Sequence, residues 1–589
     1  MKTMGPEWTY VRRATVILAL VLTLATGVLT QWSGAARAEE ELLSPMAACN
    51  LTRPSDAAVG EEESAGEILS RAREAAAEDR HRDAIDLYLR AVGRDSTLRS
   101  AVSLELGHQY TWAEAPDSAI IWYETYLAYN PGDLDAELGI ARAMSWDDRL
   151  REAEARYASL LAQSGDRKNE VLLGLAKVKA WQEDYGGAEK VYWEVLDTDS
   201  TNNDAKLGLG ATLNGSGKHR EAQAMFDAVL EDDPDNAEAI KGLAEAQLWS
   251  GRPDRAIQTL DGAFERGVRD RDLDETAAAI RRTRDPRGST AFSYRKNTDD
   301  GEIRTVSTSL TWPLGYLTEP GVAYAKSRLH KSGSPDIDRN ELTMSIVRRF
   351  SDEIAVTAAP GYQFNRFDPV VVPPGSEEVD EFDLFVWDAY VTVLPRDWVR
   401  VDAGTSRQTM DIPLPVFKRI HVTTENVGLD WRPRHRLVTY WETQYSDYSD
   451  GNSRFAASER VEWMPPLKVR HRPGGSFVLI QGVEYSSFGK QLDNGYFCPP
   501  SYFYVYGGLR FATDLGKKVN VSLDGRLGGE KEDGSEWASV GAFEGALRAR
   551  VTGRVVLTGG YFKSGSRLDS PDGFRADGFF VSLDYGGAP

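Results

Sequence analysis

Cysteine and histidine are scarce in this sequence. Only Cys49 and Cys498 occur among 589 residues, which excludes a disulfide scaffold and a cysteine-rich zinc module. The seven histidines are scattered and form no HExxH motif or other metal-ligand spacing. We therefore predict neither a metal site nor a bound cofactor.

Positive charge and catalytic motifs are also lacking. The formal net charge is −21, which argues against nucleic acid as the main partner. The sequence holds no nucleophile elbow, no phosphate-binding glycine loop and no histidine–carboxylate cluster of defined spacing. We expect no catalytic residues and no enzymatic activity, with a hydrolase as the alternative hypothesis.

An apolar run over residues 14–30 lies near the start of the chain. It follows the cationic Lys2, Arg12 and Arg13, and a small-x-small sequence at residues 36–38 comes after it. This order is typical of a secretory signal, so we predict that residues 1–38 are a signal peptide. An uncleaved membrane anchor is the alternative. We predict that residues 39–64 form a flexible acidic linker.

Residues 65–286 repeat with a period of 34 or 35 residues. Each copy has an alanine, a large side chain four residues later and a small residue twelve residues earlier. The alanines are Ala84, Ala119, Ala153, Ala188, Ala222 and Ala256, the large residues are Tyr88, Tyr123, Tyr157, Tyr192, Phe226 and Leu260, and the small ones are Ala72, Gly107, Ala141, Ala176, Gly210 and Ala244. Small residues let paired helices approach, and stacked repeats bury a continuous core. The register predicts about six helical hairpins followed by a capping helix.

Tryptophan and acidic residues mark this array. Trp112, Trp146, Trp181 and Trp249 each stand seven residues before the alanine of their copy, and Gly215 takes that place in another. The indoles either pack at the end of the first helix of each repeat or form a groove for a partner. Residues 39–286 hold 29 Lys+Arg and 50 Asp+Glu. This excess either solvates the surface or docks a basic partner.

From residue 287 the chain alternates apolar and polar residues with a period of two. Val519, Val521 and Leu523, for example, alternate with Asn520 and Ser522. About sixteen such segments start near Ser289, Glu302, Gly321, Asn340, Glu353, Phe382, Trp398, Val416, Arg436, Arg454, Ser476, Tyr502, Lys518, Trp537, Arg554 and Phe574. The long segments, their even count and the charges on the polar face favour a transmembrane barrel over a soluble β-sandwich.

The predicted fold class is therefore an all-α solenoid over residues 65–286, followed over residues 287–589 by an antiparallel up-and-down β-barrel of about 16 strands. Polar residues of the alternating segments would face the barrel lumen, and their apolar neighbours would face the lipid bilayer. The candidate lumen residues for transport are Arg400, Asp402, Asp524, Arg526, Glu544, Arg548 and Arg550.

Two stretches carry a resemblance to a known family. The repeat register resembles the tetratricopeptide repeat, with helices that end in Trp146 and Trp249. The sequence Gly-Tyr-Phe-Cys-Pro-Pro from Gly495 is similar to a turn of the cellulose-exporter barrel. The whole plan resembles exopolysaccharide exporters of the cellulose synthase operon protein C and poly-N-acetylglucosamine porin type, or smaller outer-membrane proteins that share their barrel.

The resemblance implies an outer-membrane channel that exports an exopolysaccharide through its lumen. The repeat array would lie in the periplasm and dock periplasmic or inner-membrane proteins of synthesis or modification. The alternative is an outer-membrane-anchored scaffold, in which the barrel is plugged and only the repeats act.

Overall fold

The computed structural model describes residues 63–298, 300–315, 317–368, 381–465, 475–564 and 575–586. The predicted signal peptide and nearly all of the predicted linker lie outside this part of the chain. Thirteen helices precede the sheet in the described residues: α1 Ala65–Ala77, α2 His81–Arg94, α3 Leu98–Trp112, α4 Pro116–Leu127, α5 Leu134–Trp146, α6 Leu150–Leu160, α7 Lys168–Trp181, α8 Tyr185–Thr198, α9 Asn203–Gly215, α10 His219–Asp232, α11 Ala237–Trp249, α12 Pro253–Glu265 and α13 Arg271–Arg282.

The repeat register sets the packing of this helical array. From α3 to α12 the helices form five antiparallel hairpins, and every recurrent alanine and large side chain of the register is buried. Tyr123 shows how tight the fit is, because a Cβ added to Gly107 or Gly139 would lie 2.5 Å from its ring. The predicted all-α solenoid is confirmed. α13 packs on α11 and α12 through Leu273, Ala277 and Ile280 and closes this core.

In the described ranges, sixteen strands follow the array and close on themselves. They are β1 Arg287–Asn297, β2 Gly301–Thr311, β3 Thr318–Lys331, β4 Ile337–Arg349, β5 Ile354–Phe367, β6 Glu381–Arg396, β7 Val399–Thr409, β8 His421–Arg434, β9 Leu437–Tyr448, β10 Ser453–Trp463, β11 Ser476–Phe488, β12 Tyr502–Leu515, β13 Val519–Glu532, β14 Ala538–Arg550, β15 Val555–Lys563 and β16 Ala576–Tyr585. Each strand pairs antiparallel with its chain neighbour, and β1 pairs with β16. This is the predicted up-and-down barrel.

Side chains alternate between the two faces of the wall along most of each strand. Only two register shifts interrupt the pairing of the described strands, at Val393/Arg396 and at Trp431/Arg434. Large apolar side chains lie exposed on one face of the wall, among them Leu342, Met344, Phe385, Leu523, Leu527, Phe543 and Leu583. An apolar outer surface of this kind matches the hydrocarbon of a bilayer. A soluble β-sandwich would instead bury its apolar face between its two sheets.

The barrel has two ends, which we call near and far. At the near end β1 begins and β16 ends, next to the helical array. The predicted strand start near Val416 is wrong, because residues 413–417 form a short helix, α14 (Pro413–Phe417), in the far-end loop between β7 and β8. β8 begins only at His421. Pro413 and Pro415 cannot donate to a strand ladder, and this explains the difference.

No helix in the described ranges combines the length and the apolar character needed to cross a membrane.

Candidate functional site

The inner face of the barrel is identified by one loop that crosses the lumen. Asp411, in the β7–β8 loop, accepts a hydrogen bond of 2.7 Å from Arg339 of β4 and one of 3.3 Å from Arg295 of β1. β1, β4 and β7 are not neighbours in the sheet, so these side chains meet through the interior. Residues paired across antiparallel strands share a face, and the registers therefore extend this assignment around the wall.

The structure places all seven predicted lumen residues on this inner face. Asp402 contacts Arg400 at 2.7 Å, and Asp524 contacts Arg526 at 3.1 Å. Glu544 pairs with Asp524 in the register of β13 and β14, so it shares that face. Arg548 and Arg550 follow on the same side of β14, and all three β14 charges are exposed. The lumen wall is thus polar, with charges of both signs.

A continuous ionic network covers the inner wall from β10 to β13. Arg510 bridges Glu462 at 3.3 Å and Asp524 at 3.0 Å. Two guanidinium groups lie over tyrosine rings of the same wall: Arg460 over Tyr440 at 4.3 Å and Arg526 over Tyr506 at 5.5 Å. Such a wall offers hydrogen bonds and aromatic faces to a hydrated polymer in the lumen. Its positive and negative side chains pair with one another, so their charges largely cancel.

The β7–β8 loop, residues 410–420, folds into the far end of the lumen. Val416 is fully buried against Ile303, Leu329, Ile337 and Phe367 of β2 to β5. Arg339 is buried as well, and it holds both the Asp411 carboxylate and the Met410 carbonyl at 2.7 Å. Sequence reasoning missed this loop and predicted a strand there instead. The two prolines of the run Pro413-Leu-Pro415 are the sequence feature that indicates a loop rather than a strand here.

A second far-end loop, residues 489–501, packs beside the first. It contains the Gly-Tyr-Phe turn found in the sequence. Tyr496 donates a hydrogen bond of 2.9 Å to Asp450 and stacks on Tyr448 with ring centroids 5.0 Å apart. Gly495 has a φ of 84°, and a Cβ added to it would lie 2.7 Å from Leu414. Lys418 donates a hydrogen bond of 3.0 Å to the carbonyl of Asp493. The two loops therefore support each other inside the far mouth.

At the near end, the array docks on the turns of the barrel. The backbone N–H of Arg220 donates to the Asp397 carboxylate at 2.8 Å, and its guanidinium donates to the Leu394 carbonyl at 2.9 Å. Arg252, which directly precedes α12, pairs with Asp352 of the β4–β5 turn and with Asp254 in the first turn of α12. An array that is acidic as a whole thus contacts the acidic turns through arginines.

A second contact lies at the β8–β9 turn and has the opposite polarity. Arg436 binds the Glu183 carboxylate of the array, and the Tyr185 ring lies edge-on to His435 at 4.8 Å. Burial is the main cause that lowers the pKa of His435 below its usual range, with Arg436 adding to it. None of these interface residues belongs to a recurrent position of the repeat, so no sequence pattern predicts them.

The four recurrent tryptophans lie at the surface of the array. Their exposed fractions are 59% for Trp112, 46% for Trp146, 47% for Trp181 and 52% for Trp249. Each is the last residue of its helix, and the rings of Trp112 and Trp146 are 6.3 Å apart. The edge that bears them also bears the residues that dock on the barrel. These side chains are therefore available to a partner or ligand.

No three His, Cys, Asp or Glu side chains of the described ranges gather in a way that could hold a metal ion.

Comparison with known proteins supports the repeat assignment directly. Residues 213–280 match the tetratricopeptide repeat family. No curated protein matches the chain. The chain thus combines tetratricopeptide repeats with a 16-stranded barrel, the combination that the sequence predicts.

Several solved structures are similar to parts of this chain. A bacterial polysaccharide outer membrane secretin shares 12% sequence identity at a TM-score of 0.41, over 51% of this chain and 98% of its own. CdiB from Acinetobacter baumannii shares 12% identity at 0.35, over 51% of this chain and 60% of its own. A tetratricopeptide repeat protein from Parabacteroides merdae shares 17% identity at 0.32, over 38% and 86%.

Proposed function

We propose that this protein is an outer-membrane channel that exports an exopolysaccharide, with its repeat array in the periplasm. The observation that carries the proposal is the polar, two-signed inner wall of a closed 16-strand barrel whose outer face is apolar. A barrel of this strand number encloses an aqueous passage, and an apolar outer face supports an outer-membrane location.

Transport through such a lumen would be passive. The guanidinium, carboxylate and tyrosine groups of the wall exchange hydrogen bonds with hydroxyls of a moving chain, and no single strong site holds it. The near-neutral pairing of wall charges, as between Arg510 and Asp524, favours a hydrated polymer of low charge over a small ion of either sign. The array, in this proposal, recruits periplasmic or inner-membrane proteins that make or modify the polymer.

The inward-folded loops at the far end favour a second candidate, a membrane-anchored scaffold with a plugged barrel. Residues 410–420 and 489–501 occupy the far mouth and are fixed by buried contacts. In this alternative the repeats alone act, as a docking surface for other proteins.

Single-channel recording of the full chain in a planar bilayer separates the two candidates. For a channel, we expect discrete conductance steps, and Arg526→Ala should change the step size because Arg526 lies on the lumen wall. Arg271→Ala is the matched control, since Arg271 is an exposed array residue. Recordings without steps, also after removal of residues 412–419, would favour the scaffold.

A further inference from the structure

A cavity of about 750 Å³ lies between the helical array and the near end of the barrel. Helices α9 to α11 form its array side, and the β6–β7 and β8–β9 turns form its barrel side. Its volume is within the range of about 300–1,000 Å³ that is usual for small-ligand sites. Neither the recurrent positions of the repeat nor the strand pattern predicts it.

The cavity opens where one tryptophan of the repeat is replaced. Gly215 stands at the position that holds Trp112, Trp146, Trp181 and Trp249 in other copies, and it lines the cavity. A Cβ at this position would lie 2.8 Å from the Tyr185 ring, so the site does not admit a larger residue. In this copy the Tyr185 ring, rather than an indole, lies against the end of the first helix.

Two indoles line the cavity from its opposite sides. Trp249 belongs to the array, and Trp398 belongs to the β6–β7 turn of the barrel. Both are partly exposed, at 52% and 39%. The His219 ring lies 5.6 Å from that of Trp249. An exposed aromatic face takes the C–H face of a flat, partly apolar ring, and a pyranose has such a face.

One face of α11 supplies polar groups beside these rings. Glu238, Lys241 and Glu245 follow one another by three and four residues and reach Trp249 after four more, so all four lie on one side of the helix. Burial raises the pKa of Glu245, which agrees with a position partly withdrawn from water. On the barrel side, Asp397, Arg432 and His435 complete the polar lining.

The charges of this lining nearly cancel. Glu238, Glu245 and Asp397 face Lys241 and Arg432, and burial lowers the pKa of His219 and of His435, which favours the neutral form of both imidazoles. A strongly anionic or cationic ligand would find no complementary field here. A ligand rich in hydroxyl groups and of low net charge fits both the mixed donors and the aromatic faces.

We propose that this cavity binds a segment of a low-charge polysaccharide built of pyranose rings, between Trp249 and Trp398 at the entrance of the barrel. The inference deepens the proposed export function and rests on it for the direction of travel. Beyond the copy that carries Gly215, Trp181, Trp146 and Trp112 extend along the same edge of the array and provide further stacking faces for a longer chain.

Binding is tested with the full chain in detergent, by tryptophan fluorescence and calorimetry with cellohexaose and with chitohexaose. We expect at least one of the two hexasaccharides to bind with saturation. Trp249→Ala together with Trp398→Ala should weaken that binding by about tenfold or more. Trp193→Ala is the matched control, because Trp193 is 44% exposed on the array and lies outside the cavity. Heat-modifiable gel migration verifies that each variant keeps its barrel.

Failure of this inference differs from failure of the proposed function. Absence of binding to both hexasaccharides, or equal loss in the Trp193→Ala control, overturns the cavity proposal, even where the chain conducts in a bilayer. Binding that depends on Trp249 and Trp398 upholds it, even where no conductance is seen and the export channel falls.

Discussion

At the scale of single residues, Arg220 joins the array to the barrel through both its backbone and its side chain. It contacts the Asp397 carboxylate and the Leu394 carbonyl, and each contact crosses the interface. Hydrogen bonds of a charged group contribute about 1.5–3 kcal/mol. We expect Arg220→Ala to loosen the array, which hydrogen exchange would show as faster exchange at residues 216–222.

The control for this prediction is Arg271→Ala. Arg271 has 89% of its side chain exposed, and within the described part of the chain its ion pair is with Glu275 of its own helix. Exchange at the interface should stay unchanged in this variant. Equal protection in wild type and Arg220→Ala would contradict the assigned role of Arg220.

Val521 tests which face of the wall meets lipid. It pairs with Thr513 and Leu547 on the outer face of β13, whereas Arg526 lies on the inner face. A charge at the bilayer midplane on a barrel costs roughly 2–4 kcal/mol. Val521→Arg should therefore impair assembly, measured as loss of heat-modifiable gel migration, whereas Arg526→Ala should assemble normally. Normal assembly of both variants would argue against a membrane barrel.

At the scale of elements, the β7–β8 loop depends on one carboxylate. Asp411 faces two guanidiniums, and one of them, on Arg339, is buried. Removal of Asp411 leaves the buried Arg339 guanidinium without its carboxylate partner, and an uncompensated buried charge is strongly destabilising. We expect Asp411→Ala to release the loop and to raise single-channel conductance.

Asp300→Ala is the matched control for the loop. Asp300 lies in the far-end turn between β1 and β2, with 77% of its side chain exposed. Its removal should leave conductance as in the wild type. If Asp411→Ala conducts no better than Asp300→Ala, the loop does not obstruct the passage.

The helical hairpins depend on glycines that admit tyrosine rings. A Cβ at Gly139 would lie 2.5 Å from the ring of Tyr123, whereas nothing lies within 4 Å of one at Gly93. Overpacking of this kind costs about 1–3 kcal/mol. Gly139→Ala should lower the thermal midpoint of the helical circular dichroism signal. Gly93→Ala, inside α2, should leave it equal or raise it slightly, since alanine favours a helix.

At the scale of the whole molecule, the array carries its own hydrophobic core. The buried clusters that contain Tyr123, Tyr192 and Leu260 consist of array residues alone. We expect truncation after Arg284 to yield an acidic helical domain that stays soluble without detergent. A β-dominated circular dichroism spectrum, or precipitation without detergent, would contradict this.

The sequence by itself determined the array, the barrel and the faces of their elements. The alanine register and the two-residue alternation are local patterns, and each assigns the apolar side chains of an element to one face. Fifteen of the predicted strand starts lie close to the observed ones. The eighth was wrong, because the stretch that contains Pro413 and Pro415 forms a short helix and the strand begins only at His421. The position of charges such as Asp524 followed from the pleat alone.

Only the tertiary structure decided what fills and surrounds the lumen. Asp411 meets Arg339 and Arg295 across 72 and 116 residues of chain, and Arg220 meets Asp397 across 177. Such pairs leave no periodic trace, because they join irregular loops and turns. The exposure of Trp249 was undecided in the sequence for the same reason: its repeat spacing fits both a packed and a free indole, and only the neighbours that the fold brings near distinguish them.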